Sequence, residues 1–448
     1  MNLKVVSLVA AQLLLLPLAA RAAGTLKVPS ASFPTIQSAV DAAVSAGGAA
    51  TIVVAKGTYK ESVTIDSASG LVLRGKGKVV IDAQVAGPGV TVVHGDLVEL
   101  RGLTIINFNG AGILVQGSAD THVVKCFIDA TSQDDPSSGD GIRAENDVGI
   151  SIERNLIQAV DGDGIRLDGA SEASIEKNRV LDVHGTAGIY LFHENETPPN
   201  GGATRSHVFG NKIAVLDPLP VGIFVGGTDN TIERNDVGTE SDGLVSAADA
   251  TGTKFSGNVV ASGSGNGIVV NGASNFLHRN IISAVDVLAA GIVVNTGADR
   301  ASMARNTIKP SGNGLVIDAT DCASVHDRIL KPKVLGIEIN GTNNQFTNDV
   351  VTQAGNDAFQ ITGNDNLFTG CKAIKAVDDG FDVDGDGNKI DRSFSSNAGG
   401  DGFVVFGHDN ELTKCGASHS GDFDLLDPDE GATTNTYTDC KFKTSTIP

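Results

Sequence analysis

Acidic and basic side chains return at matching positions in this 448-residue sequence. Asp140 and Asp163 each stand immediately before a glycine, and Arg143 and Arg166 follow three residues after them. Two carboxyl groups can share the roles of general acid and general base. An arginine fork can neutralise a carboxylate on a ligand. The spacing therefore indicates acid–base chemistry on a negatively charged substrate.

Aromatic and histidine side chains follow and extend the candidate site. The catalytic residues predicted from the sequence are Asp140, Asp163, Arg166, Tyr190 and His184. The predicted substrate-binding residues are Arg143, Glu145, Asp168, Phe192 and His193. Two inserts, residues 131–138 and 194–206, are expected to wall a groove beside them. The alternative is that the Asp and Arg residues form only a surface ion-pair ladder, in which each pair contributes little stability.

A repeated phrase must position these side chains. It reads glycine, aliphatic, any residue, aliphatic, any residue and a turn residue, and it recurs from Gly112 to Gly402 at intervals of mostly 22 to 24 residues. Such a period is typical of stacked repeats, and the alternation indicates short strands. We therefore expect an all-β solenoid, a single-stranded parallel β-helix of about 16 coils. Its aliphatic residues should face inward, in a narrow tube packed with Val, Ile, Leu and Ala.

Asparagines recur at the turns and predict two structural columns, in which each side-chain amide can bond the next. Asparagine tolerates left-handed backbone and caps turns locally. The first column has an interval of 22 residues, and the second follows the strand two turns further on: Asn344, Asn366, Asn388 and Asn410; Asn155, Asn178, Asn211, Asn235, Asn258, Asn280 and Asn306.

The N-terminal part differs from the repeats. Residues 33–47 have helical periodicity with a Thr at the start, which predicts a helix that caps the open end of the tube. The Ile36–Ala43 segment together with Gly57–Tyr59 resembles the opening of the pectin-lyase-like superfamily of right-handed parallel β-helices. With the repeats, the resemblance covers nearly the whole mature chain. It implies a right-handed coil, but the superfamily includes lyases, hydrolases, epimerases and adhesins, so no single activity follows.

Two acidic motifs carry a second, partial resemblance. Asp140-Gly141-Ile142 and Asp161-Gly162-Asp163 look like the motifs of polygalacturonase-type glycoside hydrolases, which implies that Asp140 and Asp163 act as acid and base about a glycosidic bond. Gly139 stands where that family has Thr, Gly162 interrupts the acidic pair, and an Arg-Ile-Lys motif is missing. A lyase or C5 epimerase stays open, in which a base removes the proton next to a carboxylate neutralised by Arg or calcium.

The ends and the charge of the chain bear on its location and partners. Lys4, the apolar run from Val5 to Leu18 and the small-residue ending at Ala22 predict a signal peptide over 1–22 and an exported domain over 23–448. No later run reaches the ~20 apolar residues of a membrane span. A net charge of −20 disfavours nucleic acid as a partner. We expect a monomer that is secreted, periplasmic or at the cell surface, with an extracellular polysaccharide as its partner.

A second acidic cluster predicts calcium as a cofactor. Asp382, Asp384 and Asp386 resemble the first half of an EF-hand loop, but Ser393 replaces the bidentate Glu at the twelfth position. The expected site is therefore a simple one, made by the outward Asp382 and Asp384 with a turn Asp.

Five cysteines leave at least one thiol free. Cys415 and Cys440 should lie on neighbouring coils ~4.8 Å apart. This spacing leaves both a disulfide and two free thiols open.

Two functions from different classes remain. The clustered Asp, Arg, Tyr and His favour an exported lyase, hydrolase or epimerase of acidic (uronate) polysaccharide. The near-absence of outward aromatics after Phe224 favours a structural role for the distal half. The alternative is thus a non-catalytic surface, adhesive or structural β-helix.

Overall fold

The computed structural model describes residues 24–130, 139–192, 203–215, 217, 219–284, 286–428 and 434–446. The chain winds into a parallel β-solenoid of about 17 turns. Strands of successive coils pair in parallel and form two sheets, of 16 and 32 strands, here named sheet 1 and sheet 2. The predicted all-β parallel β-helix is confirmed.

Sheet 1 takes one strand from each coil. Its strands are, in chain order, Val63–Asp66, Val90–Val93, Ala111–Gln116, Asp140–Glu145, Ile165–Asp168, Ala187–Phe192, Val221–Val225, Leu244–Ser246, Ile268–Val270, Ile292–Val294, Leu315–Ile317, Ile337–Ile339, Phe359–Ile361, Phe381–Val383, Phe403–Val405 and Leu425–Leu426.

Sheet 2 takes the remaining strands, two from most coils. They are Gly24–Val28, Ala50–Tyr59, Val72–Asp82, Glu99–Arg101, Thr104–Ile106, His122–Val124, Phe127–Asp129, Ser151–Glu153, Leu156–Val160, Ser174–Glu176, Arg179–Val183, His207–Phe209, Lys212–Val215, Thr231–Glu233, Asp236–Thr239, Lys254–Ser256, Val259–Ser262, Phe276–His278, Ile281–Ala284, Ser302–Ala304, Thr307–Ile308, Ala323–Val325, Arg328–Leu330, Gln345–Thr347, Val350–Thr352, Leu367–Thr369, Lys372–Ile374, Lys389–Asp391, Phe394–Ser396, Glu411–Thr413, Gly416–Ser418 and Thr436–Thr438.

The register between coils stacks equivalent residues of the repeated phrase. On sheet 1, Ile142 pairs with Ile165 and Ile165 with Ile189, and all three side chains are buried in the tube. The residue between the aliphatics points outward, so Arg143 and Arg166 stack in one row. Because side chains alternate along a strand, the pattern predicts correctly which face each of them takes.

The second asparagine column forms the amide ladder that its spacing predicts. Asn155 Nδ2 donates to Asn178 Oδ1 at 3.0 Å, and this pattern recurs along the column. The left-handed residue is not the asparagine itself but the one before it, such as Arg154 at φ 56° or Lys177 at φ 54°. The expected conformation therefore belongs to the neighbouring position, while each asparagine lies buried.

The first column uses a different bond. The backbone N–H of Asn344 donates to Asn366 Oδ1 at 2.8 Å, and the Asn366 amide donates to a backbone carbonyl at 3.1 Å. Nδ2 of Asn344, Asn366 and Asn410 donates to a backbone carbonyl, while among the described residues Asn388 Nδ2 has no partner. The expected bonds from one side-chain amide to the next are therefore wrong for this column. Both columns satisfy buried polar groups at the turns.

One short helix, Ile36–Ser45, lies within the segment 33–47 that the periodicity predicts. Thr35 caps it, since its side chain accepts a hydrogen bond from the Ser38 N–H at 3.1 Å. The carboxylate of Glu61 accepts the N–H groups of Ile36 and Gln37, where the helix dipole favours negative charge. The helix packs against the strands Gly24–Val28, Ala50–Tyr59 and Val63–Asp66 of the first coils.

The distal core differs from the aliphatic tube that the composition suggests. Phe359, Phe381 and Phe403 occupy the same inward slot of three successive coils, with ring centroids 4.5 and 4.6 Å apart. Phe346 and Phe368 stack in the same way on sheet 2, at 4.7 Å. The expectation of a purely aliphatic core is wrong there, because a solenoid brings identical slots to the spacing at which rings stack.

Cys415 and Cys440 lie on neighbouring coils, as the spacing predicts. Each thiol donates to a backbone carbonyl of the preceding coil, Cys415 to Ile390 and Cys440 to Leu412, and both cysteines are free. The other cysteines, Cys126, Cys322 and Cys371, are buried free thiols. Of the two alternatives left open by the sequence, the structure contains the free thiols.

The predicted signal peptide, 1–22, lies outside the described residues, so export stays a prediction. In the part of the chain that the structure describes, no helix combines the length and the apolar character that crossing a membrane needs.

Candidate functional site

Five consecutive strands of sheet 1 form one outer face, and they place six of the predicted site residues on it: Arg143, Glu145, Arg166, Asp168, Tyr190 and Phe192. The strands are Ala111–Gln116, Asp140–Glu145, Ile165–Asp168, Ala187–Phe192 and Val221–Val225. One outward row runs through Leu114, Arg143, Arg166, Tyr190 and Phe224. The parallel row runs through Gln116, Glu145, Asp168 and Phe192. The face thus changes from charged to aromatic along the tube.

The charged part is a connected ion-pair network. Asp168 Oδ2 lies 3.3 Å from Arg143 and 3.0 Å from Arg166, so both guanidinium groups share it. Glu145 lies 2.6 Å from Arg143 Nε. The ion-pair ladder expected as the alternative is therefore present. A ligand carboxylate would have to compete with Asp168 for either arginine.

Asp163 is fixed by several partners. Its Oδ1 accepts the N–H groups of Thr186 and Ala187, both at 2.7 Å, and its Oδ2 lies 3.1 Å from Arg166. Burial raises the pKa of Asp163, although these hydrogen bonds and the Arg166 charge oppose that effect. Because its oxygens already hold the next turn and an arginine, Asp163 is suited to positioning its neighbours.

Asp140 has fewer partners and is 7% exposed. Its Oδ1 accepts the Asp163 N–H at 2.8 Å, and its Oδ2 lies 3.8 Å from Arg143. Burial, and then the Asp163 charge, raises the pKa of Asp140 to about 6. Asp140 is therefore the carboxyl of this pair that can hold a proton in mildly acidic solution.

Sterics explain why a glycine, Gly162, interrupts the acidic pair in the sequence. A Cβ at Gly162 would lie 2.4 Å from Asp140 Oδ1. A Cβ at Gly185, one coil later, would lie 2.7 Å from Asp163 Oδ1. These glycines leave the space through which each carboxylate reaches a backbone N–H of the next coil.

Three aromatic rings continue the face beyond the charges. Tyr190 stacks on Phe224, with centroids 5.3 Å apart, and Phe192 meets both rings edge-on. The Arg166 guanidinium lies 4.6 Å from the Tyr190 ring centroid, which joins the two halves of the face. Tyr190 points out of the tube as predicted, but these neighbours leave it only 4% exposed.

Phe224 is a site residue that the prediction omitted. The signal that could have found it is its place in the phrase, since it occupies the slot of Tyr190 one coil later.

His184 is not brought to the acidic pair. His184 lies on the turn before Ala187–Phe192, 3.8 Å from Asp161 and 3.7 Å from Asp182. Within the described ranges, no hydrogen bond or ion pair joins it to Asp140 or Asp163. His193 lies outside the described residues, as do residues 131–138 and most of the insert 194–206.

The distal carboxylates group differently from the prediction. Among the residues that the structure describes, the acidic oxygens close enough to hold one metal ion belong to Asp357, Asp378 and Asp379, within 4.8 Å of one another. Asp382 is half-buried nearby, and burial followed by the charge of Asp384 raises its pKa to about 7.

Asp386, the third predicted metal ligand, lies on a turn. It accepts the His408 N–H at 2.7 Å. The structure therefore does not gather Asp382, Asp384 and Asp386 into one cluster, and calcium binding stays a prediction.

Comparison with known proteins supports the fold. Residues 52–237 match the family model described as "Right handed beta helix region". A search of the curated proteins finds no match. The match over these residues agrees with the parallel coils of the structure, and both show a right-handed parallel β-helix fold.

Two solved structures illustrate the likeness. A tailspike protein of E. coli bacteriophage HK620, in complex with pentasaccharide, has a TM-score of 0.51 at 10% identity, over 90% of this chain and 74% of that one. The DFA-IIIase of Arthrobacter chlorophenolicus A6, in complex with DFA-III, has a TM-score of 0.48 at 13% identity, over 72% of this chain and 93% of that one. At such low identity, the tailspike likeness speaks for the fold alone.

Proposed function

We propose that this chain is an exported enzyme acting on acidic, uronate-containing polysaccharide, with Asp140 as its proton donor. One observation carries the proposal. A carboxyl group with its pKa raised to about 6 lies 3.8 Å from the Arg143 guanidinium, and the neighbouring strand carries Arg166, which packs on the Tyr190 ring. Arginine suits the carboxylates of uronate sugars, and an aromatic face suits the apolar side of a sugar ring.

The two arginines take different roles. The Arg143 side chain is 36% exposed and that of Arg166 is 12% exposed. Arg143 is therefore the group that meets a substrate carboxylate, in exchange for part of its contact with Asp168. Arg166, held between Asp163 and the Tyr190 ring, positions these neighbours.

Cleavage by hydrolysis is the reaction that Asp140 supports best. A protonated carboxyl can donate its proton to the glycosidic oxygen as the bond to the leaving sugar breaks, while water adds to the anomeric carbon and gives up a proton. β-Elimination and C5 epimerisation need a base next to a neutralised carboxylate instead. His184 lies away from the acidic pair, so these routes have weaker support.

A solved neighbour gives a reason to test saccharides first. The tailspike protein of similar fold was solved with a bound pentasaccharide. That is a property of the tailspike, and the substrate class proposed for this chain rests on its own Asp140, Arg143 and aromatic face.

The direct test is incubation with a panel of uronate polysaccharides, with and without calcium. Hydrolysis releases reducing ends, and elimination also gives unsaturated ends that absorb ultraviolet light. Epimerisation exchanges the C5 proton with solvent. We expect reducing ends without unsaturation, and much less release by Arg143→Ala. The matched control is Lys177→Ala, an exposed cation in the turn between two strands of sheet 2.

If no product of any kind forms across the panel, the proposal that this chain is an enzyme is refuted. That outcome would favour the competing proposal, a non-catalytic surface or structural β-helix, whose specific support is the closed ion-pair ladder between Asp168 and the two arginines.

A further inference from the structure

A basic concave surface lies at the start of the solenoid, on sheet 2 rather than on the face that carries Asp140. We name it the N-terminal groove. Its volume is about 670 Å³, within the range of small-ligand sites. Its lining residues are Thr25, Lys27, Val28, Pro29, Val53, Ala55, Arg74, Gly75, Lys76 and Arg101.

The strand register places the cations in line. Lys27 pairs with Val53, Val53 with Arg74, and Arg74 with Arg101 on four successive strands. Strands stand ~4.8 Å apart, so one row carries positive charge on the first, third and fourth strands. Lys76 lies two residues beyond Arg74, beside Ala55. The groove is thus a positive track that crosses the strands.

The row loses its positive charge after these coils. Arg101 pairs with Val124, Val124 with Glu153, and Glu153 with Glu176. Positive charge in this row is therefore confined to the first coils.

The cations of the groove are available to a ligand. Lys27, Arg74 and Lys76 are exposed. Over the described ranges, no carboxylate forms an ion pair with any of these three, whereas Arg101 is paired with Glu99. Further along the same two long strands, Lys56 and Lys78 line a second depression of about 430 Å³. Val53 and Ala55 give the floor apolar surface between the charges.

We propose that the N-terminal groove binds an anionic glycan, specifically a run of uronate sugars, at a second site separate from the Asp140 face. Carboxylates along a uronate chain recur once per sugar, as cations recur along the groove. Sugar C–H faces would cover Val53 and Ala55 while Lys27, Arg74 and Lys76 meet the carboxylates.

The negative net charge of the chain explains why a separate basic site would help it to bind an acidic glycan. The chain carries a net charge of −20, so most of its surface repels a polyanion. A local positive track can hold an acidic glycan despite that field. None of the described residues that line the groove is aromatic, which disfavours single-stranded nucleic acid, whose bases stack on aromatic side chains.

The test uses Asp140→Asn protein, so that the probe is not consumed, and hexagalacturonate as the probe. Hydrogen exchange with and without the probe maps where it binds, and calorimetry gives its affinity. We expect protection over 50–59 and 72–82. The triple variant Lys27→Ala/Arg74→Ala/Lys76→Ala should lose this protection and bind at least about tenfold more weakly there.

Matched controls separate the groove from general charge. The variant Lys254→Ala/Lys309→Ala/Lys372→Ala removes the same charge from exposed positions elsewhere and should keep the protection. A neutral hexasaccharide should give none. Binding should weaken as salt rises, because exposed charges are screened.

Specific results would overturn the proposal. They are unchanged protection of 50–59 and 72–82 in the groove variant, equal protection by the neutral sugar, no protection by hexagalacturonate, or protection by a sulfated hexasaccharide alone. These readouts are independent of turnover. The proposal for the groove can therefore be refuted even if the protein is an active enzyme, and it can be supported even if the protein has no activity.

Discussion

One column of buried side chains changes its chemistry along the tube. The asparagine ladder ends at Asn306, which donates through its backbone and amide nitrogens to Asp327. The Asp327 N–H donates in turn to Asp349 Oδ1 at 2.6 Å. Asp349 Oδ2 is buried and, among the described residues, has no hydrogen-bond partner. Burial, and then the Asp327 charge, raises the pKa of Asp349 to about 8. Ionisation of Asp349 is thus costly in the folded protein.

Asp349→Asn should stabilise the protein in a pH-dependent way. The pKa of Asp349 is higher folded than unfolded, so the folded state holds a proton that the unfolded chain releases between about pH 4 and 8, and stability falls as pH rises through that range. Asparagine stays neutral and can donate. We expect the gain in the free energy of unfolding to be several kcal/mol larger above pH 8 than near pH 5, since each pKa unit corresponds to about 1.4 kcal/mol, and urea denaturation measures it.

The control for this change is Asp365→Asn, in an exposed turn where the backbone is also left-handed and tolerates Asn. Asp365→Asn should leave the free energy of unfolding unchanged at both pH values. An equal effect of Asp349→Asn at both would contradict the assignment of the buried charge.

At the scale of strands, the two halves of sheet 1 use aromatic rings differently. In the proximal half, Tyr190, Phe192 and Phe224 point outward and cover one another. In the distal half, Phe359, Phe381 and Phe403 point inward and stack in the core. Aromatic rings thus occupy outward slots of the repeat in the proximal half and inward slots in the distal half.

Phe224→Ala should weaken substrate binding more than it slows the chemical step. It removes the ring on which Tyr190 stacks, an interaction worth about 0.5–1.5 kcal/mol, and part of the aromatic face. We expect KM to rise by up to about tenfold with a smaller change in kcat. Phe276→Ala, an exposed ring on sheet 2, is the control. A fall in kcat alone would argue against a role in binding.

Phe381→Ala should destabilise the fold strongly. Phe381 is fully buried between two stacked rings, and truncation of a buried Phe costs about 3–5 kcal/mol. Phe394→Ala, at an exposed position of sheet 2, should cost far less. Comparison of the two denaturation midpoints checks the prediction. Equal midpoints would mean that the stacked column does not support the distal coils.

At the scale of the whole molecule, the sequence predicts the fold well because a solenoid is regular. The interval between repeats predicts the coils and their parallel pairing. The alternation of apolar and polar residues predicts that Arg143 and Arg166 point outward. Phe359, Phe381 and Phe403 also recur at an interval of 22 residues, which predicts a stacked column. An average aromatic content of 4% does not reveal such a local column.

The site was harder to predict than the fold. That Asp140 and Asp163 bond to backbone N–H groups of the next coil depends on turn geometry, which Gly162 and Gly185 permit. His184 does not contact Asp140 or Asp163, because it lies on a turn beside Asp161 rather than on a sheet 1 strand.

The measurement that tests the account most directly is the pH dependence of polysaccharide cleavage by wild type and Asp140→Asn. The folded pKa of Asp140 is raised to about 6, so its proton is present below that pH and lost above it. Wild-type kcat/KM should fall as pH rises through about 6. Asp140→Asn should lose about 10²–10⁴-fold of the activity, with an unfolding midpoint close to that of wild type, while Glu176→Gln, on sheet 2 of the neighbouring coil, keeps it. Wild-type activity in Asp140→Asn, with the same pH profile, would contradict the central claim.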